Sequence, residues 1–188
     1  KIAMDKVKED KKREAEAGHD GTWIAHPGLA PIAMDAFNAI MPNKNQINKT
    51  IVNPNIKQSD LLKIPSGNIT EQGFRDNIKI GLQYTEAWLC GNGCVPLYNL
   101  MEDAATAEIG RAQLWQWVKH NAVLDDGRII SMELYTSLLK DEMHNLKILL
   151  GDDLFASRKF KLAISLFTKM VQNNEFDEFL TLPAYQHI

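Results

Sequence analysis

From Thr70 onward, apolar positions recur every three or four residues, the signature of helices with one buried face. Phe74, Ile78, Leu82, Thr85 and Leu89 line one side of a first long helix, which Gly91-Asn92-Gly93 stops. Pro96 to Glu102 reads as an extended connection. A second helix spans Ala104 to Lys119, with Ile109, Ala112, Leu114 and Val118 as its apolar positions. Asp125-Asp126-Gly127 is a turn, and Ser131 is a good N-cap for a third helix. That helix carries Tyr135, Leu139, Met143, Leu146 and Leu150 and ends at Gly151. A fourth holds Phe160, Ala163, Ile164, Phe167 and Met170, and a last short turn falls within Glu175 to Leu182.

The front of the chain follows another pattern. Residues 4–17 are charged and rich in helix formers, with Gly18 at a stop position. Gly21-Thr22-Trp23-Ile24-Ala25 predicts a short β-strand, since Thr, Trp and Ile favour strands. Pro27-Gly28 ends it, and residues 30–41 predict a helix. One lone strand cannot stand without partners. This order therefore calls for a sheet supplied from elsewhere, and the opening Lys1 agrees that the chain is a piece of something longer. Residues 42–69 hold Pro42, Pro54, Pro65 and several Asn, which is loop chemistry, with a turn of helix near Asp60 to Lys63. The expected organisation is a helix–strand–helix portion over 1–45, a linker over 46–69 and a helical domain over 70–188.

Composition narrows the function classes. With 45% hydrophobic and 24% charged residues, the 188-residue chain has the make-up of an ordinary globular protein. A net charge of -3 gives no electrostatic case for nucleic acid or an anionic membrane. No stretch of about 20 apolar residues exists to span a bilayer. The alternating charges of Lys6 to Glu16 read as a solvated helix face. Two cysteines, Cys90 and Cys94, are too few for a disulfide scaffold or a zinc site. On one helix they would be neighbours, in most cases as buried thiols. With no apolar leader at the front, the expected setting is reducing and cytoplasmic.

Three motifs carry more specific information. The first is Asp10-Lys11-Lys12-Arg13-Glu14-Ala15, continuing to Gly18-His19-Asp20-Gly21-Thr22-Trp23-Ile24-Ala25-His26-Pro27. The second is Gly91-Asn92-Gly93-Cys94-Val95-Pro96. The third is Met101-Glu102-Asp103-Ala104-Ala105-Thr106-Ala107-Glu108-Ile109, followed by Trp115-Gln116-Trp117. In this order and at this separation they resemble the C-terminal part of a malate synthase of the shorter, A-type form. The likeness reaches the tail at Glu178-Phe179-Leu180-Thr181-Leu182-Pro183.

The resemblance implies a mainly α fold: a C-terminal helical bundle, the plug, preceded by the last strand–helix unit of a TIM barrel. It also implies an acyltransferase of the glyoxylate bypass, in which acetyl-CoA condenses with glyoxylate and water releases malate and CoA. By that resemblance Asp103 matches the catalytic base that takes a proton from the acetyl methyl group. Cys94, Met101, His26 and Pro27 fall where the cofactor binds. No metal ligand falls within the chain; Mg2+ and a catalytic arginine are supplied by the barrel residues that precede Lys1. The implied partners are these two small molecules and the rest of the barrel, and the isolated chain is expected to be inactive.

Read without the resemblance, Asp103 before Ala104-Ala105-Thr106 is a natural helix N-cap. His26 is by default a structural histidine, Cys94 a pocket-lining thiol, and Met101 a packing residue. Trp115 and Trp117 are packing aromatics. Glu102 is given no catalytic part. Periodicity alone is equally served by a non-catalytic helical interaction module.

Overall fold

The computed structural model describes residues 2–50 and 55–188. Pro54 and the other residues of 51–54, assigned above to the loop, lie outside the described residues, as does Lys1. The chain divides into two compact units, one reaching Pro65 and the other spanning Ser66–Ile188.

In the leading unit, helix α1 (Ile2–Glu16) packs against α2 (Ala30–Ile40). Gly18, at φ 96°, takes the left-handed conformation that ends α1. A single-turn helix, α3 (Gln58–Leu61), lies in the loop region. The strand expected at Gly21–Ala25 is not formed. A strand exists only through hydrogen bonds to a neighbour, and the described residues of this unit include no other strand. Side chains fix the segment instead. Gln46 Nε2 donates to Ala15 O (2.9 Å) and His19 O (2.8 Å), Gln46 N donates to Asp20 Oδ1 (2.6 Å), and Thr22 Oγ1 donates to Glu14. Trp23 is left 94% exposed.

The second unit is a helical bundle around α4 (Glu71–Leu89). Thr70 caps α4 by accepting from Gly73 N. Phe74, Ile78, Leu82, Thr85 and Leu89 are all buried, as their spacing predicts. A two-stranded antiparallel hairpin follows, β1 (Cys94–Leu97) and β2 (Leu100–Asp103). Next come α5 (Ala104–Lys119), α6 (Met132–Leu150), α7 (Asp152–Ser157), α8 (Phe160–Gln172) and α9 (Thr181–Ala184). Ser131 caps α6 through Leu134 N, and Gly151, at φ 81°, ends it. The close passage of α4 and α8 needs Gly81, because a Cβ there would collide with the Phe167 ring.

The hairpin and α5 depart from expectation. The connection over Pro96 to Glu102 is the hairpin, not a plain extended link. On α5, Ile109 is 61% exposed, because the helix buries the stripe Ala107, Gly110, Arg111 and Leu114 against α4 and α8. Arg111 is fully buried and does structural work. Its Nη2 donates to Asp177 O (2.9 Å), while Nε and Nη2 both reach Glu108. Trp115 Nε1 donates to Asn173 O (2.8 Å), so one face of α5 grips the tail. Trp117 packs against the core beside Phe74, with ring centroids 6.1 Å apart.

Candidate functional site

The site is built on the hairpin. Its turn is Tyr98–Asn99, with φ of 50° and 68°. Positive φ at both central residues is the type I′ condition, which matches the twist of a two-residue hairpin. Asn accepts that conformation readily and Tyr does not, so the turn is held from outside. Gln83 Nε2 donates to Tyr98 Oη (2.7 Å), and Lys79 Nζ sits 4.5 Å from the centre of the Tyr98 ring. Both belong to α4.

The register pairs Cys94 with Asp103, Val95 with Glu102, Pro96 with Met101 and Leu97 with Leu100. Directly opposed residues share a face, and alternate residues along a strand do too. Cys94, Pro96, Met101 and Asp103 thus lie on one face, and all four are exposed. Val95 and Glu102 turn to the other face; Val95 packs on the core, and Glu102 is 4% exposed. The pleat therefore separates Glu102 from Met101 and Asp103, its neighbours in sequence.

Asp103 ends β2 and caps α5. Its Oδ1 accepts from Ala105 N (2.9 Å) and Thr106 N (3.3 Å). Among the described residues Oδ2 accepts no hydrogen bond. One oxygen is thus tied to the helix N-terminus while the other is available. Capping and proton transfer are compatible in a single carboxylate of this kind.

Cys94 and Cys90 are not buried helix neighbours. Both are exposed, Cys90 at the end of α4 and Cys94 at the start of β1, with the Gly91-Asn92-Gly93 turn between them. Desolvation and a hydrogen bond from Sγ to Glu86 Oε1 (3.2 Å) push the Cys90 thiol up, which makes it a poor nucleophile. Glu86 itself is fully buried and held by Arg158, whose Nε donates at 2.9 Å.

His26 and Pro27 stand in the leading unit. His26 Nδ1 accepts from Gly28 N (3.0 Å) and caps the short 3-10 turn Pro27–Leu29. Close by in that unit, a groove of about 400 Å³ runs between the 20–24 segment and α2, lined by Gly21, Ile24, Met34 and Phe37 among others. Among the described residues no group of three or more His, Cys, Asp or Glu is placed to hold a metal ion. No helix among the described residues is long and apolar enough to cross a membrane.

Sequence reasoning missed Tyr84. Its hydroxyl donates to Gly93 O (3.1 Å), immediately before Cys94. Burial, and after it the Asp103 carboxylate, pushes the Tyr84 phenol up. An aromatic residue inside a helix carries no spacing signal for such a role.

A leading helical pair and a helical bundle bearing one hairpin make the described chain mainly α. The family model for the malate synthase TIM barrel domain matches residues 1–64, and that for the malate synthase C-terminal domain matches residues 68–188. The chain belongs to the malate synthase family. It is 50% identical to a malate synthase of Myxococcus xanthus over 97% of its length. It is also 49% identical to a glyoxysomal malate synthase of Brassica napus over its whole length, and 45% identical to malate synthase A of Escherichia coli over 97%. The chain covers 34%, 34% and 35% of these curated relatives, about a third of their length.

Proposed function

We propose that this chain supplies the catalytic base of an enzyme that condenses acetyl-CoA with glyoxylate. The observation that carries the reading is the divided Asp103 carboxylate, with Oδ1 fixed by the α5 N-terminus and Oδ2 unpartnered on an exposed face. Oδ2 takes a proton from the methyl group of the acetyl thioester, and the C–H electron pair becomes the enolate. The enolate carbon attacks the aldehyde carbon of glyoxylate. Water then cleaves the thioester and releases malate and CoA.

Cys94 and Met101, on the same hairpin face, line the path of the thioester, while His26 and Pro27 contact the cofactor from the barrel portion. Mg2+ and the groups that polarise glyoxylate come from the rest of the protein. The same reading divides the chain into a barrel portion over 1–45, a linker over 46–69 and the plug over 70–188. The membership of the family, together with the exposed carboxylate at the family's motif, supports it.

The test is CoA release from acetyl-CoA and glyoxylate by the full-length enzyme. Asp103→Asn keeps the helix cap and removes the base. The expected result is a loss of about 10³-fold in kcat, within the range for a general base, at near-parental Tm. A near-parental rate in this variant returns Asp103 to a cap alone. The chain by itself is expected to release no CoA above a no-enzyme control, since it lacks the rest of the barrel.

A further inference from the structure

We infer that Tyr84 is a positioning residue for the reaction, holding the hairpin that carries Asp103 onto α4; this rests on the reading of Asp103 as the base. Helix α4 grips the hairpin at two places. At its base, the Tyr84 hydroxyl donates to Gly93 O (3.1 Å), and Gly93 directly precedes the register partner of Asp103. At its tip, Gln83 Nε2 holds Tyr98 Oη (2.7 Å), with Lys79 over the ring. Between them, Val95 and Glu102 are turned inward.

An isolated two-stranded hairpin is marginal in water. This one has strands of only four residues and a Pro in one of them. Its geometry therefore depends on what α4 does. Asp103 is the last residue of β2 and the cap of α5, so a shift of β2 moves the carboxylate directly. Tyr84 is 1% exposed and belongs to the core, which gives it a packing role as well.

The two roles separate in the kinetics of proton abstraction. A displaced base raises the barrier of one step, and a misplacement of about 1 Å costs up to about 10²-fold. The experiment uses the full-length enzyme with acetyl-CoA and its methyl-trideuterated form, comparing parent, Tyr84→Phe and Tyr98→Phe. For Tyr84→Phe the expected result is a fall in kcat of about tenfold. KM for acetyl-CoA should stay near the parental value, and the deuterium isotope effect on kcat should rise. Tyr98→Phe should move the isotope effect the same way by less; Tyr98 is half-exposed, so this variant reports even where Tyr84→Phe yields no soluble enzyme.

An isotope effect unchanged in both variants overturns the inference whatever the rate loss. Fewer folded molecules lower kcat but leave that ratio alone. Asp103→Asn is measured beside them. If it keeps the parental rate, the base reading itself has failed. If it is inactive while both tyrosine variants keep the parental isotope effect, only the positioning role has failed.

Discussion

The unit spanning Ser66–Ile188 encloses Phe74, Ile78, Leu82, Tyr135 and Phe167 with no more than 1% exposure each, whereas among its described residues the leading unit buries three alanines, Phe37 and the stem of Lys11 and leaves Trp23 94% exposed. Both contain helices with apolar faces. The difference lies in what each face meets. In the second unit, α4 finds α5, α6, α8 and the hairpin around it. In the leading unit, α1 and α2 find chiefly each other. A helix pair with one apolar groove is a part of a larger layer, and a bundle with a closed core is a domain.

The contrast is open to direct attack. The largest expected effect is all or none. Residues 66–188 expressed alone should melt in one cooperative transition by circular dichroism, and residues 1–65 alone should show none. A cooperative melt of the leading piece would erase the distinction.

Next in size is truncation of a core ring. Phe167→Ala should destabilise the second unit by about 4 kcal/mol in urea titration, through lost burial and the cavity left behind. Trp23→Ala in the same chain should change its stability by under about 0.5 kcal/mol, because the ring has little burial to lose.

The glycines repeat the comparison on a smaller scale. Gly81→Ala drives a methyl group into the Phe167 ring. Overpacking of that severity costs about 3 kcal/mol, and the helix preference of Ala over Gly offsets about 1, leaving a net loss of about 2 kcal/mol. Gly21 has no neighbour within 4 Å of an added Cβ. Gly21→Ala should stay within about 0.5 kcal/mol of the parent by the same titration.

The smallest effect concerns acid. Arg128, and then Arg75, hold the Glu71 carboxyl below its usual value of 4.5. Arg75 also reaches Glu142 (2.9 Å) and Asp141 (3.2 Å), which ties α4 to α6. A depressed folded-state value means the contribution is present above the unfolded value and lost as pH falls through the folded one. The urea midpoint of the second unit should therefore decline as pH drops below about 4.5, and Glu71→Gln should flatten that decline.

Much of the bundle was legible because helices are local. Capping residues and three- and four-residue spacings place α4, α5, α6 and α8 without knowledge of their neighbours. Asp103 and Ser131 both accept backbone N–H groups as their positions imply. Asp103 was likewise visible as a cap, while its part as a base is the reading proposed here from the resemblance. The packed structure adds that one of its oxygens carries the cap and the other accepts no hydrogen bond among the described residues.

Pairing across the chain decided the rest. The hairpin has four-residue strands, a Pro in β1 and a Tyr at a positive φ, each of which argues against a strand or turn when read locally. It forms because α4 holds both its base and its tip. Trp23, by contrast, has the right local preference for a strand and no ladder to join. Arg111 looks like a surface residue by type, yet it is buried: the carboxylate of Glu108 and the tail carbonyl of Asp177 accept from its Nε and Nη2, while Nη1 has no partner among the described residues. Spacing along the chain picks out the buried face of α4, but on α5 packing against α4 and α8 chose another stripe and left Ile109 exposed. Strand formation and the burial of a charge depend on partners far away in sequence, and those are set only when the elements pack.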